Sequence, residues 1–155
     1  FTGPHEAVAG GPERCFSVRE GLGQVRHDGL VAVHDGVRPL VSPALMARCF
    51  GAARLHGAAI PALAVSSSVR EVKGDASRAL DRAMLRLVQT PQCFQVPLLR
   101  TAVGLPFDPA FTDEATLVER TGVEVHLIEG EERNIKVTTP VDLLVAEAFL
   151  KAGNH

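Results

Sequence analysis

The sequence lacks several features that would assign it to a common functional class. Its three cysteines are an odd number at wide spacing, which indicates reduced thiols rather than a disulfide framework or a CxxC metal site. No apolar run approaches the length of a membrane span, and no signal-peptide pattern is present. Motifs of the GxSxG, HExxH and Walker types are absent. We therefore expect a cytoplasmic protein with no membrane partner, or a plastid-stroma protein if the source is a plant or alga.

An excess of positive charge is also missing. The formal net charge is -2 and the pI about 6.3, so we expect no nucleic-acid partner. The 155 residues are 46% hydrophobic and 22% charged, which is the composition of an ordinary globular domain with a sizeable core. The chain contains no internal repeat and no low-complexity linker. We predict a single domain over residues 1–155.

Strand-like and helix-like segments alternate along the chain, which is typical of a layered α/β fold. Strands are predicted at residues 30–34, 58–65, 123–128 and 135–137. Ser42 followed by Pro43 predicts a helix start, and Gly57 its end. Thr139, Pro140 and Asp142 predict the start of a final helix that ends near Gly153, and Thr112 predicts the cap of a shorter one.

The segment at about residues 66–88 differs from the rest because it is polar and alternates weakly on both sides of Gly74. This pattern predicts a projecting β-hairpin arm. Such an arm has no core of its own. We therefore expect a partner subunit to stabilise it.

The densest group of chemically active side chains follows the predicted strand at residues 30–34. Asp35 and Arg38 lie three residues apart there, with Gly36 between them. Ligands bind at the carboxyl ends of strands in open α/β sheets, so Asp35 could meet a metal ion or a ribose hydroxyl and Arg38 a phosphate. Gly36 would let a ligand approach the backbone. A structural pair, in which Asp35 caps a turn and binds Arg38, explains the spacing equally well.

A second candidate is Lys136, which alternates with apolar residues just before the final helix. A lysine flanked by Ile135 and Val137 needs an anionic partner such as a phosphate to offset its desolvation. The alternative is a lysine at the edge of a sheet with its ammonium group in water.

Three further motifs are weak when taken singly. The turn at residues 90–94 is rigid and polar, and a structural role is favoured for it. Thr112 before two acidic residues is favoured as a helix cap. Gly10 and Gly11 precede a helix and could hold a phosphate or nucleotide, with Ser17 close by.

Together these segments resemble the 2-C-methyl-D-erythritol 4-phosphate cytidylyltransferases. The matching segments follow the family's order and cover nearly the whole chain: VAGGPERCFSVREGL, VAVHDGVRP, LVQTPQCF, FTDEATLVE and EGEERNIKVTTPVDLLVAEAFL. The ribitol 5-phosphate cytidylyltransferases share the pattern and remain an alternative. A catalytically incomplete, dimeric phosphate-binding module is a second alternative.

The resemblance implies a Rossmann-like nucleotidyltransferase fold and a homodimer formed through the arm. The implied reaction is attack by the 4-phosphate of methylerythritol phosphate on the α-phosphorus of CTP, with release of pyrophosphate. Mg²⁺ or another divalent cation is implied, held mainly by the CTP phosphates and not by protein ligands. No covalent enzyme intermediate is implied, so catalysis would consist of positioning and charge stabilisation.

The resemblance also assigns roles to individual residues. Lys136 and Arg82 are the implied catalytic residues: Lys136 holds both phosphate groups, and Arg82 reaches from the arm into the neighbouring subunit to position the acceptor phosphate. Ser68 falls where the family often has a threonine that assists this arginine. Asp35, Arg38, Ser68, Thr112 and Lys136 are the implied acceptor-binding residues. On the nucleotide side the implied residues are Gly10, Gly11, Arg14, Ser17, Asp35 and Gly36.

The sequence departs from the family pattern in three places. Pro12 stands where an acidic residue is common and removes one backbone N–H. Ser67 replaces a frequent aspartate in the arm, just before Ser68. The family's opening strand and glycine-rich loop, with an arginine and a lysine for the triphosphate, have no counterpart after Phe1. We expect a β-loop-α-β unit of roughly 30 residues or more upstream.

Overall fold

The computed structural model describes residues 4–108 and 113–153 of the chain. The helices in these ranges are α1 (Arg14–Gly23), α2 (Pro43–His56), α3 (Val96–Val103), α4 (Glu114–Glu119) and α5 (Pro140–Ala152). The strands are β1 (Leu30–Val33), β2 (Ala58–Ala64), β3 (Val69–Lys73), β4 (Ala76–Leu80), β5 (Arg86–Val88), β6 (Gln92–Gln95) and β7 (His126–Glu129). The alternation confirms the predicted α/β fold.

The central sheet has five strands and mixed direction. Strand β6 pairs antiparallel with both β1 and β2, so β1 and β2 run parallel to each other, with α2 crossing between them. Strand β7 adds parallel to the opposite edge of β2. The carboxyl ends of β1, β2 and β7 therefore meet at one edge of the sheet, which is where α/β folds bind ligands.

A bulge interrupts the antiparallel partner of β2. Ala59 pairs with Cys93, and Ala62 pairs with Val88. Three residue steps along β2 therefore lie opposite five residue steps along the antiparallel strand segment. Strands β5 and β6 are thus two halves of one strand, and residues 89–91 are the extra segment between them. Bulges redirect side chains, and this one lies beside the carboxyl end of β1.

The core lies on both faces of this sheet, as period-two alternation requires. On one face Ala58 and Phe94 pack against α1, α3 and α4. On the other face Ala59 and Cys93 pack against Cys49 and the rest of α2. The two layers of helices hold the strand ends in fixed positions.

The local signals for helix ends are confirmed. The Ser42 hydroxyl accepts the backbone N–H of Leu45 at the start of α2, and Gly57 ends that helix at φ 86°. At the start of α5, Thr139 and Asp142 form a reciprocal capping box. Both helices therefore begin and end where the sequence predicted.

The hairpin predicted in the arm is also confirmed. Strands β3 and β4 pair antiparallel and turn at Gly74, whose φ of 60° favours glycine. The rest of the predicted arm does not belong to this hairpin. A short 3-10 turn, Arg82–Met84, follows it, and β5 returns to the central sheet.

Three boundary predictions were wrong. Residues 135–137 form no strand. A backbone hydrogen bond from the N–H of Val137 to the carbonyl of Val37 holds this segment. The strand predicted at residues 123–128 begins only at His126. The cap of α4 is Asp113, which accepts the N–H of Thr116, so the predicted cap lies one residue too early. Thr112 itself lies outside the described residues.

Candidate active site

A pocket of about 170 Å³ opens at the carboxyl end of β1, beside the bulge. Its polar lining combines residues from the start of α1, the β1–α2 loop, the bulge, β6, the start of α4 and the segment before α5: Arg14, Asp35, Arg38, Gln89, Thr90, Gln92, Asp113 and Lys136. The pocket therefore brings together four of the residues expected at the site: Arg14, Asp35, Arg38 and Lys136.

Asp35 is the centre of the charge arrangement. Its side chain is 8% exposed, and three cations contact it. Arg14 Nη1 lies 2.7 Å from Oδ1, Arg38 Nε lies 3.3 Å from Oδ2, and Lys136 Nζ lies 3.5 Å from Oδ2. The structural alternative, an Asp35–Arg38 pair, is present. It is part of a larger cluster in which three cationic side chains contact the single carboxylate of Asp35.

This environment keeps Asp35 ionised. Burial by itself raises the pKa of Asp35, but the hydrogen bond and charge of Arg14, then Lys136 and Arg38, outweigh it and hold the pKa below its ordinary value. The side-chain hydrogen bond to Glu114 is the main reason that the pKa of Arg14 is raised, against the opposing effect of burial. At neutral pH the carboxylate of Asp35 can therefore only accept hydrogen bonds.

Arg14 is bound from two sides. Its Nε and Nη2 donate to the carboxylate of Glu114, at 3.1 and 2.8 Å, while Nη1 donates to Asp35. The side chain of Glu114 is only 1% exposed. The arginine that the resemblance placed in a supporting nucleotide role thus joins α1, α4 and the end of β1.

Arg38 is held by the backbone as well as by Asp35. Its Nη1 donates to the carbonyl of Asn134 at 2.8 Å, and its side chain is 11% exposed. The same carbonyl accepts Nε2 of Gln89, and Nδ2 of Asn134 donates to the carbonyl of Thr90. Asn134 is fully buried, and no hydrogen-bond partner of its Oδ1 is found among the described residues. These bonds tie the segment before α5 to the bulge.

Lys136 is the least constrained cation of the cluster, since its side chain is 50% exposed and its one ion pair to a described residue is 3.5 Å long. It lies on an irregular extended segment and not on a strand edge. A half-exposed ammonium group held by one long ion pair can move to bind an incoming anion at a low cost in free energy. The anionic partner that the sequence predicted for this lysine is, within the chain, the carboxylate of Asp35.

The glycine pair precedes α1, as predicted. A Cβ at Gly11 would lie 2.3 Å from Cβ of Phe16, so no side chain fits there. The N–H of Gly11 donates to the hydroxyl of Ser17 at 3.0 Å, which folds the loop onto the first turn of α1. The space beside Gly36 is open, with nothing within 4 Å of a Cβ built there.

The arm residues are not part of this pocket within the single chain. Arg82 donates to the carbonyl of Ser66, and neither Arg82 nor Ser68 is among the residues that line the pocket. Thr112, the remaining acceptor-binding residue implied by the resemblance, lies outside the described residues.

Several pocket residues were not assigned by sequence reasoning. Gln92 accepts the N–H of Ala115 and donates to Asp113, which anchors the start of α4 at the pocket. His34 and Thr90 form a hydrogen-bonded pair behind Asp35. His34 lies inside the motif VAVHDGVRP, and Thr90 and Gln92 lie inside LVQTPQCF. Their membership of these motifs was the signal available in the sequence.

Neither a membrane-spanning helix nor a cluster of metal-ligating side chains is found among the described residues. No helix in residues 4–108 and 113–153 is long and apolar enough to cross a membrane. In the same ranges, no group of three or more histidine, cysteine, aspartate or glutamate residues could hold a metal ion.

Comparison with known proteins gives consistent matches. A family model described as "2-C-methyl-D-erythritol 4-phosphate cytidylyltransferase" matches residues 3–152. The chain is 46% identical over 150 residues to the 2-C-methyl-D-erythritol 4-phosphate cytidylyltransferase of Bacteroides thetaiotaomicron, covering 97% of this chain and 68% of that protein. It is 43% identical over 156 residues to the protein of the same name from Bacillus velezensis, covering 97% and 67%.

Solved structures show the same similarity. The crystal structure of the cytidylyltransferase from Thermus thermophilus superposes with a TM-score of 0.81 at 42% identity, covering 92% of this chain and 71% of that one. The bifunctional IspDF of Campylobacter jejuni superposes with a TM-score of 0.79 at 31% identity, covering 93% of this chain and 37% of that one. The chain thus spans about two thirds of the length of the curated relatives given above.

Proposed function

The chain belongs to the 2-C-methyl-D-erythritol 4-phosphate cytidylyltransferase family, and we propose that the pocket around Asp35 is its reaction site. The protein is a nucleotidyltransferase with the family's Rossmann-like fold. It transfers CMP from CTP to methylerythritol phosphate in isoprenoid biosynthesis. The observation that carries the assignment of the site is the convergence of Arg14, Asp35, Arg38 and Lys136, from distant segments, on one pocket.

The reaction needs charge stabilisation more than covalent chemistry. An oxygen of the acceptor phosphate attacks the α-phosphorus of CTP, the new P–O bond forms, and the bond to the β-phosphate breaks so that pyrophosphate leaves. Negative charge increases on the oxygens of the α-phosphate during this step. We propose that Lys136 leaves Asp35 and binds both phosphate groups, which lowers their mutual repulsion in the transition state.

Asp35 and Arg38 are proposed to orient the substrates. An ionised, nearly buried carboxylate accepts hydrogen bonds, so hydroxyl groups of the CTP ribose or of methylerythritol phosphate suit Asp35. Arg38, held by the carbonyl of Asn134, provides a fixed cation beside it. Gly36 leaves open space for the ligand at this position.

The loop at Gly10 and Gly11, together with Ser17 of α1, is proposed as the nucleotide side. It lies before α1, and Arg14 in the first turn of that helix reaches Asp35 in the pocket. The tight contact between Gly11 and Phe16 keeps the backbone close to the helix start, where N–H groups favour phosphate oxygens.

The arm is proposed to complete the site of a second copy. Arg82 and Ser68 do not line the pocket of their own chain, so their roles as acceptor-binding residues require a homodimer. Apolar side chains on and after the hairpin favour this: Val72 is 71% exposed, Met84 81% and Leu87 57%. Such exposure is typical of surfaces that a partner covers.

Mg²⁺ is proposed to act on the triphosphate and to be held mainly by its oxygens. Asp35 and Asp113 line the pocket, but Asp35 is bound by three cations and Asp113 caps α4 and accepts Gln92. These carboxylates do not fit a metal site of their own. The cation would neutralise phosphate charge.

We also propose that the reaction takes place in the cytoplasm.

Pyrophosphate release tests the function directly. The purified protein is incubated with CTP, Mg²⁺ and either methylerythritol phosphate or ribitol 5-phosphate, with CTP alone as the control. We expect release only with methylerythritol phosphate, for which the relatives above are named. Release with ribitol 5-phosphate alone would reassign the acceptor. If neither acceptor gives release but calorimetry shows that CTP binds, the chain is a catalytically incomplete phosphate-binding module.

A further inference from the structure

The imidazole of His34 connects two segments of the site. Its Nε2 lies 3.0 Å from the carbonyl oxygen of Arg38, and its Nδ1 lies 2.9 Å from Oγ1 of Thr90. Thr90 Oγ1 also accepts the backbone N–H of Asp35 at 3.0 Å. A continuous set of hydrogen bonds therefore runs from the Arg38 backbone, through the ring and the hydroxyl, to the backbone of Asp35.

The chemistry of these groups sets the direction of each bond. A carbonyl only accepts, so Nε2 of His34 must carry the proton that it donates to Arg38. In the neutral ring Nδ1 is then an acceptor, and the hydroxyl of Thr90 donates to it. Thr90 accordingly uses its proton on His34 and one lone pair on the N–H of Asp35, which fixes its rotamer.

The ring of His34 is half-buried between an apolar groove and the charged groups of its own loop. On one side His34 lines an apolar groove of about 300 Å³, formed mainly by Val18, Leu22, Val25, Val31 and Leu99. The charged groups near it are Asp35 and Arg38 of its own loop, with Arg14 and Lys136 behind Asp35. A ring turned into the groove would lose the hydrogen bonds of both its nitrogens.

We propose that His34 is a positioning residue of the reaction, acting through Thr90 on the backbone that carries Asp35 and Arg38. It touches neither reacting phosphate. Its role is to hold the Thr90 hydroxyl in one orientation, so that the carboxylate of Asp35 and the guanidinium of Arg38 are in place before substrate binds. The inference rests on the function proposed above.

Two substitutions separate the two bonds of the ring. In His34→Asn the amide oxygen lies near the place of Nδ1 and can accept the Thr90 proton. In His34→Gln the amide nitrogen reaches the place of Nε2 and can bind only the Arg38 carbonyl. We expect His34→Gln to lower kcat/KM about tenfold and His34→Asn about threefold, since only the former loses the Thr90 bond. His56→Gln, at the far end of α2, is the matched control.

A double-mutant cycle tests the route through Thr90. Thr90→Val removes the hydroxyl, so we expect His34→Gln to cause no further loss of kcat/KM in that background. Equal losses in the two His34 variants, or additive losses with Thr90→Val, would overturn the proposal. So would a loss of Tm without a change in kcat/KM, which is the result of a purely structural role.

Amide hydrogen exchange at Asp35 gives a readout that needs no activity. Its N–H should exchange faster in His34→Gln than in His34→Asn, and the rate in His56→Gln should match the unmodified protein. Equal rates in all variants would overturn the inference. Absence of pyrophosphate release from the unmodified protein would contradict the proposed function, while the exchange rates would still decide the role of His34.

Discussion

Arg14 and Glu114 form a two-point ion pair that joins the first residue of α1 to the first residue of α4. Arg14 Nη2 lies 2.8 Å from Glu114 Oε2, and Nε lies 3.1 Å from Oε1, across 100 residues of chain. Because Arg14 also binds Asp35, the position of α4 is coupled to the centre of the pocket. The carboxylate of Glu114 is buried, and among the described residues its cationic partner is Arg14.

Glu114→Gln should destabilise the fold. The change leaves Arg14 with Asp35 as its remaining carboxylate and weakens the junction of α1 and α4. We expect a loss of about 2 kcal/mol in the free energy of unfolding. Urea denaturation measures this, with Glu119→Gln at the exposed end of the same helix as the control. Equal stability of the two variants would show that the pair contributes little.

Lys136→Met should strongly reduce turnover while preserving the fold. Methionine keeps most of the chain length but carries no charge, so the transition state loses a cation. We expect kcat to fall about 100- to 1,000-fold, the effect of removing one donor from a developing oxyanion. Steady-state pyrophosphate release checks this, with Lys151→Met in α5 as the control. A turnover within threefold of the unmodified protein would remove Lys136 from the reaction.

Arg82→Ala tests whether the arm acts on the neighbouring subunit. Alone, it should raise KM for methylerythritol phosphate more than KM for CTP. When Arg82→Ala and Lys136→Met chains are mixed, a mixed dimer regains one intact site, because each chain supplies what the other lacks. Random mixing should restore about a quarter of the unmodified activity. Activity that stays at the level of the single variants would contradict a site shared between subunits.

Asp35 should contribute a pH-dependent part of the stability. Its pKa is lower in the folded chain than the unfolded value of about 3.9, so its contribution is fully present above that pH and is lost as pH falls through the folded-state pKa. The difference in unfolding free energy between the unmodified protein and Asp35→Asn should thus be largest near neutral pH and shrink in acid.

Urea titrations from pH 7 to below pH ~4 measure that difference. Asp75→Asn, in the exposed β3–β4 turn, is the control and should show no comparable dependence. A difference for Asp35→Asn that stays constant across this range would mean that ionisation of Asp35 does not stabilise the fold.

Much of the fold could be predicted because its signals are local. The cap of α2 at Ser42 and the capping box at Thr139 and Asp142 each join groups within three residues, and the turn at Gly74 depends on one backbone conformation. The cap of α4 was displaced by one residue because Thr112 and Asp113 are both good caps in sequence. Residues 135–137 alternate like a strand but have no neighbouring strand to pair with among the residues that the structure describes.

The site could be predicted in part. Asp35, Arg38 and Lys136 were identified, because charged residues beside apolar strand residues need partners. The bulge at residues 89–91 could not be predicted, since it depends on how β5 and β6 both align with β2. His34, Gln89 and Asn134 were missed because each has a hydrogen-bond partner that is distant in sequence: 56, 42 and 44 residues away, respectively.

The sequence by itself determined the family, the ends of α2 and α5, and the residue types available for phosphate chemistry, because these follow from local pattern and from ordered motifs. Only the tertiary structure decided that Arg14 serves both Asp35 and Glu114, that Asp35 meets three cations, and that Arg82 lies outside the pocket of its own chain. Electrostatic interactions depend on distance in space, and packing of the sheet sets those distances.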